Sequence, residues 1–142
     1  MDSFAKALQE IQLKEYDFYL LDDNLGDGLG IDILRKGREI GINKPIIILT
    51  ALENRERDLR AMTLGADDYL QKSHLAITLE RSLRYSYEKY NVKNDLTLRE
   101  ERYRNLFERS IDAITIVDTS FIISEVNVAM SNLFHCETKD LL

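Results

Sequence analysis

The sequence predicts an α/β fold built on a parallel sheet, followed by a smaller α+β segment. Three observations carry this. Short apolar runs at residues 16–21 (YDFYLL) and 46–49 (IIIL) each end in a polar, flexible stretch, as buried strands do. Amphipathic stretches at helical spacing lie before, between and after them, the alternation that builds βαβ units. Beyond residue 97 the pattern changes to two apolar runs at hairpin spacing, so the strands there are expected to pair antiparallel.

Taken in order, residues 2–13 place Phe4, Leu8 and Ile11 on one helical face. The run at 16–21 is the first strand, and the polar stretch from Asp22 to Gly30 follows it. A second helix is expected to turn Leu29, Ile33, Leu34 and Ile40 inward and to close at Gly41, since glycine tolerates the left-handed cap. Pro45 opens the second strand, which ends at Thr50. A short helix with Leu59 and Met62 inside stops at Gly65, and residues 68–72 are too brief to assign as a strand by pattern alone. A long helical pattern then carries Leu75, Leu79, Leu83 and Tyr90 on one face, filled in by Ser82 and Ser86. Thr97 and Glu100 have the spacing of a capping box, which predicts that a new helix with Tyr103, Leu106 and Phe107 starts there. Residues 113–117 and 121–123 read as two strands joined by Asp118, Thr119 and Ser120. The expected organisation is therefore one domain over residues 1–90, a junction at 91–97 and a second domain over 98–142.

Composition narrows the classes of function. The 142 residues are 44% hydrophobic and 31% charged, with one Pro and six Gly, which argues against disorder. A net charge of −6 leaves no basic excess to neutralise phosphates, so no nucleic-acid partner is expected. No apolar run is long enough to cross a bilayer and the first residues lack a signal-peptide pattern. The single Cys136 forms no internal disulfide and fits a reducing compartment. A cytoplasmic protein is expected.

In an open parallel sheet, reactive groups gather beyond the carboxyl ends of the strands. Asp22, Thr50 and Lys72 each follow an apolar run. A carboxylate can attack phosphorus to give an acyl phosphate. A lysine and a hydroxyl can stabilise the phosphoryl oxygens. Asp, Asn and Gly at such positions also simply build turns.

These residues carry a resemblance. YDFYLLDDNLGDGLGIDIL, KPIIILTA and GADDYLQK resemble the phosphoacceptor, switch and lysine segments of response-regulator receiver domains, a flavodoxin-like fold. The resemblance implies Asp22 as phosphoacceptor, Lys72 as phosphate contact, Thr50 as switch hydroxyl and Tyr69 as aromatic switch. It implies Mg2+ as cofactor, held by Asp22 and the Asn24 backbone carbonyl, and a histidine kinase or phosphotransfer protein as phosphodonor. Gly26 stands where many receivers have Pro, and Lys72-Ser73 where many have Lys-Pro, which leaves open the cis peptide common there. Only 21 residues precede Asp22, so the family's first β-α-β elements are expected to be missing, and with them the remaining acidic Mg2+ ligands. Glu15 and Asp17 sit at the wrong end of the strand, and alternation turns Asp23 to the opposite face from Asp22. Loss of a central strand would expose an apolar edge, with a homodimer or strand-swapped assembly as one outcome.

The stretch LREERYRNLFERSIDAITIVDTSFIISEVNVAMSNLF is similar to the lead helix, first two strands and Asn-containing helix of a PAS domain. Residues 98–142 would make about half of one. His135 and Cys136 match no cofactor motif, so no cofactor is expected there. The function implied is a phosphorelay receiver coupled to a PAS sensory module and impaired in a chain of this extent. It is not itself expected to be an enzyme, although a longer parent could be a sensor histidine kinase or a cyclic-nucleotide enzyme. Two alternatives stand beside it: a phosphorylation-silent interaction scaffold, and a haloacid-dehalogenase-like phosphatase. The phosphatase would place a second acidic residue where this sequence has Asn24.

Overall fold

A computed structural model describes residues 3–13, 16–52, 54–135 and 137. In it the short apolar runs form strands and the amphipathic stretches form helices. The order is α1 (Phe4–Leu13), β1 (Tyr19–Asp22), α2 (Gly30–Glu39), β2 (Ile46–Thr50), α3 (Arg55–Thr63), β3 (Asp68–Gln71) and α4 (Leu75–Glu108). A hairpin of β4 (Thr115–Val117) and β5 (Ile123–Val126) and then α5 (Val128–Phe134) follow. The chain divides into two units, residues 1–92 and 93–142, and α4 contributes to both.

In the first unit, β1, β2 and β3 form a parallel sheet in that order. The register pairs Asp22 with Leu49 and Thr50 with Gln71. The two faces of β2 follow from alternation. Ile46 and Ile48 are fully buried with Ile33 and Leu34 of α2, Ile11 of α1, Tyr19 of β1 and Ala61 of α3. Phe4, Ala7 and Leu8 of α1 pack against that cluster. Ile47 is also fully buried but points the other way. It is flanked by Asp68, whose carboxylate accepts a hydrogen bond from Ser82 of α4 at 2.6 Å. Helix α4 therefore covers the Ile47 face. The small Ser82 and Ser86 form its buried face, while Leu75, Leu79, Leu83 and Tyr90 are only half-buried.

One clamp fixes the amino-terminal ends of the strands. Arg38 of α2 donates to the carbonyls of Gly65, Ile42 and Lys44 and pairs with Asp67 at 2.9 Å. Asp67 in turn accepts the Ile46 backbone N–H at 3.0 Å. Both charged side chains are largely buried, and burial pulls the Arg38 pKa down while Asp67 pushes it back up. Breaking such a pair by removing one partner typically costs about 3–5 kcal/mol, although Lys89, 3.6 Å from the other Asp67 oxygen, keeps some charge on that side.

Several expectations are corrected. Helix α4 runs without interruption to Glu108, and the Thr97 hydroxyl donates to the Lys93 carbonyl inside the helix at 3.0 Å instead of capping a new one. The first strand begins at Tyr19, not at residue 16. Leu29 and Ile40 fall at the two caps of α2 and are exposed, and Ile31 is buried in their place. Helix α3 buries Ala61 while Leu59 and Met62 face solvent. The last strand begins at Ile123, because Phe121 takes a left-handed conformation (φ 64°) in the turn and is exposed. Residues 68–71 do form a strand. Among the described residues there is no cis peptide bond.

Among the described residues β1 pairs only with β2, so its outer edge has no strand partner. Leu20 is 44% exposed there, and a groove of about 510 Å³ lined by Ala7, Tyr19, Leu21 and Leu25 runs beside it. No helix is long and apolar enough to cross a membrane among the described residues.

In the second unit, β4 and β5 pair antiparallel, Thr115 opposite Val126 and Ile116 opposite Glu125. The fully buried Asn127 organises it. Its Oδ1 accepts from the Ile114 and Met130 backbone N–H groups at 2.9 and 3.0 Å. Its Nδ2 donates to the Phe107 and Asp112 carbonyls at 3.0 and 2.9 Å. One side chain thus caps α5 and ties helix, loop and strand together. His135 closes α5 in a left-handed conformation, and Cys136 lies outside the described residues.

Candidate functional site

Parallel strands in register bring their carboxyl ends to one edge of the sheet. β1 ends on Asp22, β2 on Thr50, and β3 delivers Lys72 one residue past its end. The Lys72 ammonium meets Asp22 Oδ2 at 2.6 Å, with both side chains about 40% exposed at 41% and 37%. The Asn24 backbone N–H donates to Asp22 Oδ1 at 3.2 Å. The Asn24 side chain accepts from Gly26 N–H at 3.0 Å, and Gly26 turns the chain with φ +80°. Burial pushes the Asp22 carboxyl up, but the Lys72 hydrogen bond, the Asn24 N–H and the Lys72 charge outweigh it. The group therefore titrates below the ordinary carboxylate value and is ionised, as a nucleophile must be.

Thr50 is buried, and its hydroxyl donates to the Leu52 carbonyl at 2.9 Å. Tyr69 lies on the same sheet face as Thr50, because it flanks Ile48 in the register. Burial pushes the Tyr69 phenol up, the Thr50 hydroxyl pulls it down and the Asp23 carboxylate raises it again, so the net shift is upward.

Asp23 is the residue whose place the sequence conveyed least. Alternation does put it on the Tyr69 side of the sheet, away from Lys72. Beyond the strand ends, however, the two sides open into one cleft of about 460 Å³ that is lined by Asp22, Asp23, Thr50, Asn54, Arg57 and Lys72 among others. Asp23 is 6% exposed. Its Oδ2 accepts from Arg57 Nη1 of α3 at 2.9 Å and from the Tyr69 hydroxyl at 3.3 Å. Arg57 is thus a site residue that pattern reading passes over. Its local signal was the cap: Asn54 accepts from the Glu56 and Arg57 backbone N–H groups at 3.1 Å each, which starts α3 at the cleft.

Of the residues named from sequence, Asp22 and Lys72 touch and Thr50 shares their cleft. Tyr69 reaches the cleft through Asp23, and Asn24 reaches Asp22 through its N–H. Among the described residues no group of three His, Cys, Asp or Glu side chains can hold a metal. The carboxylates that line the cleft are those of Asp22 and Asp23, each engaged by a cation at rest, whereas Mg2+ takes one or two carboxylates and fills an octahedron with water.

Comparison with known proteins shows the family. The family model for the response regulator receiver domain matches residues 1–84. The chain is 47% identical over 58 residues to the probable transcriptional regulatory protein SilR of Salmonella typhimurium, covering 41% of this chain and 25% of that protein. It is 30% identical over 129 residues to the transcriptional regulatory protein CiaR of Streptococcus pneumoniae, covering 84% of this chain and 56% of that protein. The chain therefore spans between a quarter and just over half of these relatives' lengths. Among solved structures, the Francisella response regulator 1452 receiver domain superposes with a TM-score of 0.54 at 32% identity, over 60% of this chain and 70% of that one. The receiver domain of a putative Luxo repressor from Vibrio parahaemolyticus gives 0.62 at 24% identity, over 68% and 74%, a likeness of fold alone. With a parallel sheet, strand-end Asp22, Thr50 and Lys72, and a family match over more than half its length, the chain belongs to the response regulator receiver family of two-component signalling.

Proposed function

We propose that Asp22 is the phosphoacceptor of this receiver, taking a phosphoryl group from a histidine kinase or phosphotransfer protein in the cytoplasm. The observation that carries the reading is the 2.6 Å Lys72–Asp22 pair, in one cleft with the Thr50 hydroxyl. An Asp22 carboxylate oxygen attacks phosphorus as the P–N bond to the donor imidazole breaks. The freed imidazole keeps the electron pair, and the product is an acyl phosphate on Asp22. Lys72 passes from the carboxylate to the phosphoryl oxygens, and Thr50 exchanges its bond to Leu52 for one to a phosphoryl oxygen. Tyr69, on the same face, then reports the change. Receivers generally use Mg2+ at this site. With Asp22 and Asp23 as the carboxylates of the cleft, both already paired with cations, weak acceptance by this chain is the expected outcome.

The second unit is read as a PAS portion, supported by its order of helix, two antiparallel strands and Asn127-capped helix. Coupling between it and the receiver would run along α4, which is helical through the junction. The unpaired edge of β1 favours one further reading, a phosphorylation-silent scaffold that pairs with another chain or a second copy. The test is incubation with acetyl phosphate and Mg2+, with intact mass read for the wild type and Asp22→Asn. A phosphoryl adduct that depends on Asp22 supports acceptance. No such adduct, with a dimer in solution, supports the scaffold.

A further inference from the structure

We propose that Arg57 is a second phosphoryl-binding cation of the site, held in reserve by Asp23 until Asp22 is phosphorylated; this rests on the reading of Asp22 as phosphoacceptor. Among the described residues the two adjacent carboxylates have one cation each. Asp22 has Lys72 at 2.6 Å, and Asp23 has Arg57 at 2.9 Å. Both cations line the same cleft. Phosphorylation converts the single negative charge of Asp22 into a phosphoryl group of about −1.5 to −2. The three oxygens of that group offer a planar guanidinium a forked, charge-assisted contact that a carboxylate oxygen already shared with Tyr69 does not.

The two partners of the resting pair differ in freedom. The Asp23 side chain is 9% exposed and fixed, while that of Arg57 is 54% exposed and free to swing. Asp23 is not stranded when Arg57 leaves, because the Tyr69 hydroxyl already donates to the same oxygen at 3.3 Å. The exchange leaves Tyr69 as the remaining donor to Asp23 and draws the first turn of α3, capped by Asn54, toward the new charge. Arg57 then supplies positive charge at an edge where acidic metal ligands are few.

The experiment is titration of the full chain with beryllofluoride in the presence of Mg2+, read by the fluorine resonance of the bound adduct. It compares wild type, Asp23→Asn, Arg57→Gln, the double variant and Arg57→Lys, with Asp22→Asn as control. Asp23→Asn keeps an oxygen for Tyr69 and removes the charge that holds Arg57. Affinity is expected to tighten about fivefold in Asp23→Asn and to weaken by a similar factor in Arg57→Gln. Arg57→Lys should restore part of the loss, and the gain from Asp23→Asn should vanish when Arg57 is Gln. A gain that persists without Arg57 is plain relief of like-charge repulsion and overturns the proposal. An Asp22-dependent adduct of unchanged affinity in Arg57→Gln overturns it too and leaves the phosphoacceptor reading standing. Arg57→Gln alone decides this if Asp23→Asn does not fold. No Asp22-dependent adduct in the wild type overturns both.

Discussion

Replacing Gly30 with Ala tests how closely the backbone is packed around Asp22. Helix propensity alone favours Ala by up to about 1 kcal/mol. The structure opposes it, since a Cβ on Gly30 would stand 2.2 Å from the Asp22 carbonyl oxygen, 3.0 Å from its carbonyl carbon and 3.4 Å from the Asp23 Cα. Ordinary carbon–oxygen contacts begin near 3.3 Å, so the start of α2 and the end of β1 must part by about 1 Å. Both sides are backbone, so no side chain can rotate away. The movement also strains the Gly30 N–H to Asp23 carbonyl bond (3.1 Å) and the Asp23 N–H to Leu49 carbonyl bond (2.8 Å). Overpacking of this kind costs about 1–3 kcal/mol, and a weakened hydrogen bond about 1 kcal/mol more. Set against propensity, the net loss is about 1–3 kcal/mol. For a unit of this size each kcal/mol lowers Tm by about 4–8 °C, so a drop of about 4–24 °C is expected in a far-UV circular dichroism melt. Gly26→Ala is the control: its Cβ would meet nothing within 4 Å, so only the cost of φ +80°, about 1 kcal/mol, remains. Gly30→Ala melting within about 2 °C of wild type would refute this account of the β1–α2 contact.

Lys72→Ala should raise the pKa of Asp22, because burial then acts without the ammonium that outweighs it. The sign follows from linkage. A folded-state pKa below the unfolded value stabilises the protein at neutral pH, and that contribution is lost as pH falls through the folded value; in Lys72→Ala this pH-dependent part shrinks. A carbon-13 titration of the Asp22 carboxyl reads it directly, and no upward movement would contradict the pairing. Asn127→Ala removes two acceptor and two donor bonds from a fully buried position. It should destabilise the second unit by about 3–5 kcal/mol. Hydrogen exchange at the Ile114 amide, which donates to Asn127 Oδ1, should accelerate sharply, whereas unchanged protection there would count against the role given to Asn127.

The parts of the fold that a sequence reading reaches are those set by neighbours along the chain. Asp22, Thr50 and Lys72 stand out because each interrupts or follows an apolar run, and a parallel sheet must bring such ends together. Arg57 and Asp23 are 34 residues apart, and no periodicity links them. Helix α3 misled for a related reason. Its large apolar side chains, Leu59 and Met62, face out, while the methyl of Ala61 fills the space against the sheet, and small residues leave little trace in a hydrophobic pattern. The capping signal at Thr97 failed because capping is a preference of chain ends. Inside a helix already formed on both sides, the same hydroxyl bonds back to the Lys93 carbonyl.

The adjacency of Asp22 and Asp23 shows what the register of β1 must protect. Along a strand, alternation sends neighbouring side chains to opposite faces, where they meet different partners. At the strand end it gives one carboxylate to Lys72, delivered by β3, and the next to Arg57, delivered by α3. A slip of one residue in β1 would exchange the faces of Asp22 and Asp23 and break both ion pairs together. The hydrogen bonds that prevent it begin at the far end of the sheet. Tyr19 N–H bonds to the Pro45 carbonyl at 2.9 Å, and Asp67, held by Arg38, takes the Ile46 N–H. From those two anchors each strand runs four or five residues to the site, so strand length and the alternation of faces carry Asp22, Thr50 and Lys72 to one edge. The Arg38–Asp67 clamp is therefore part of the positioning of the Asp22–Lys72 cleft even though it lies at the opposite end of the strands. Damage to it should appear as loss of the Lys72–Asp22 pair as well as of stability.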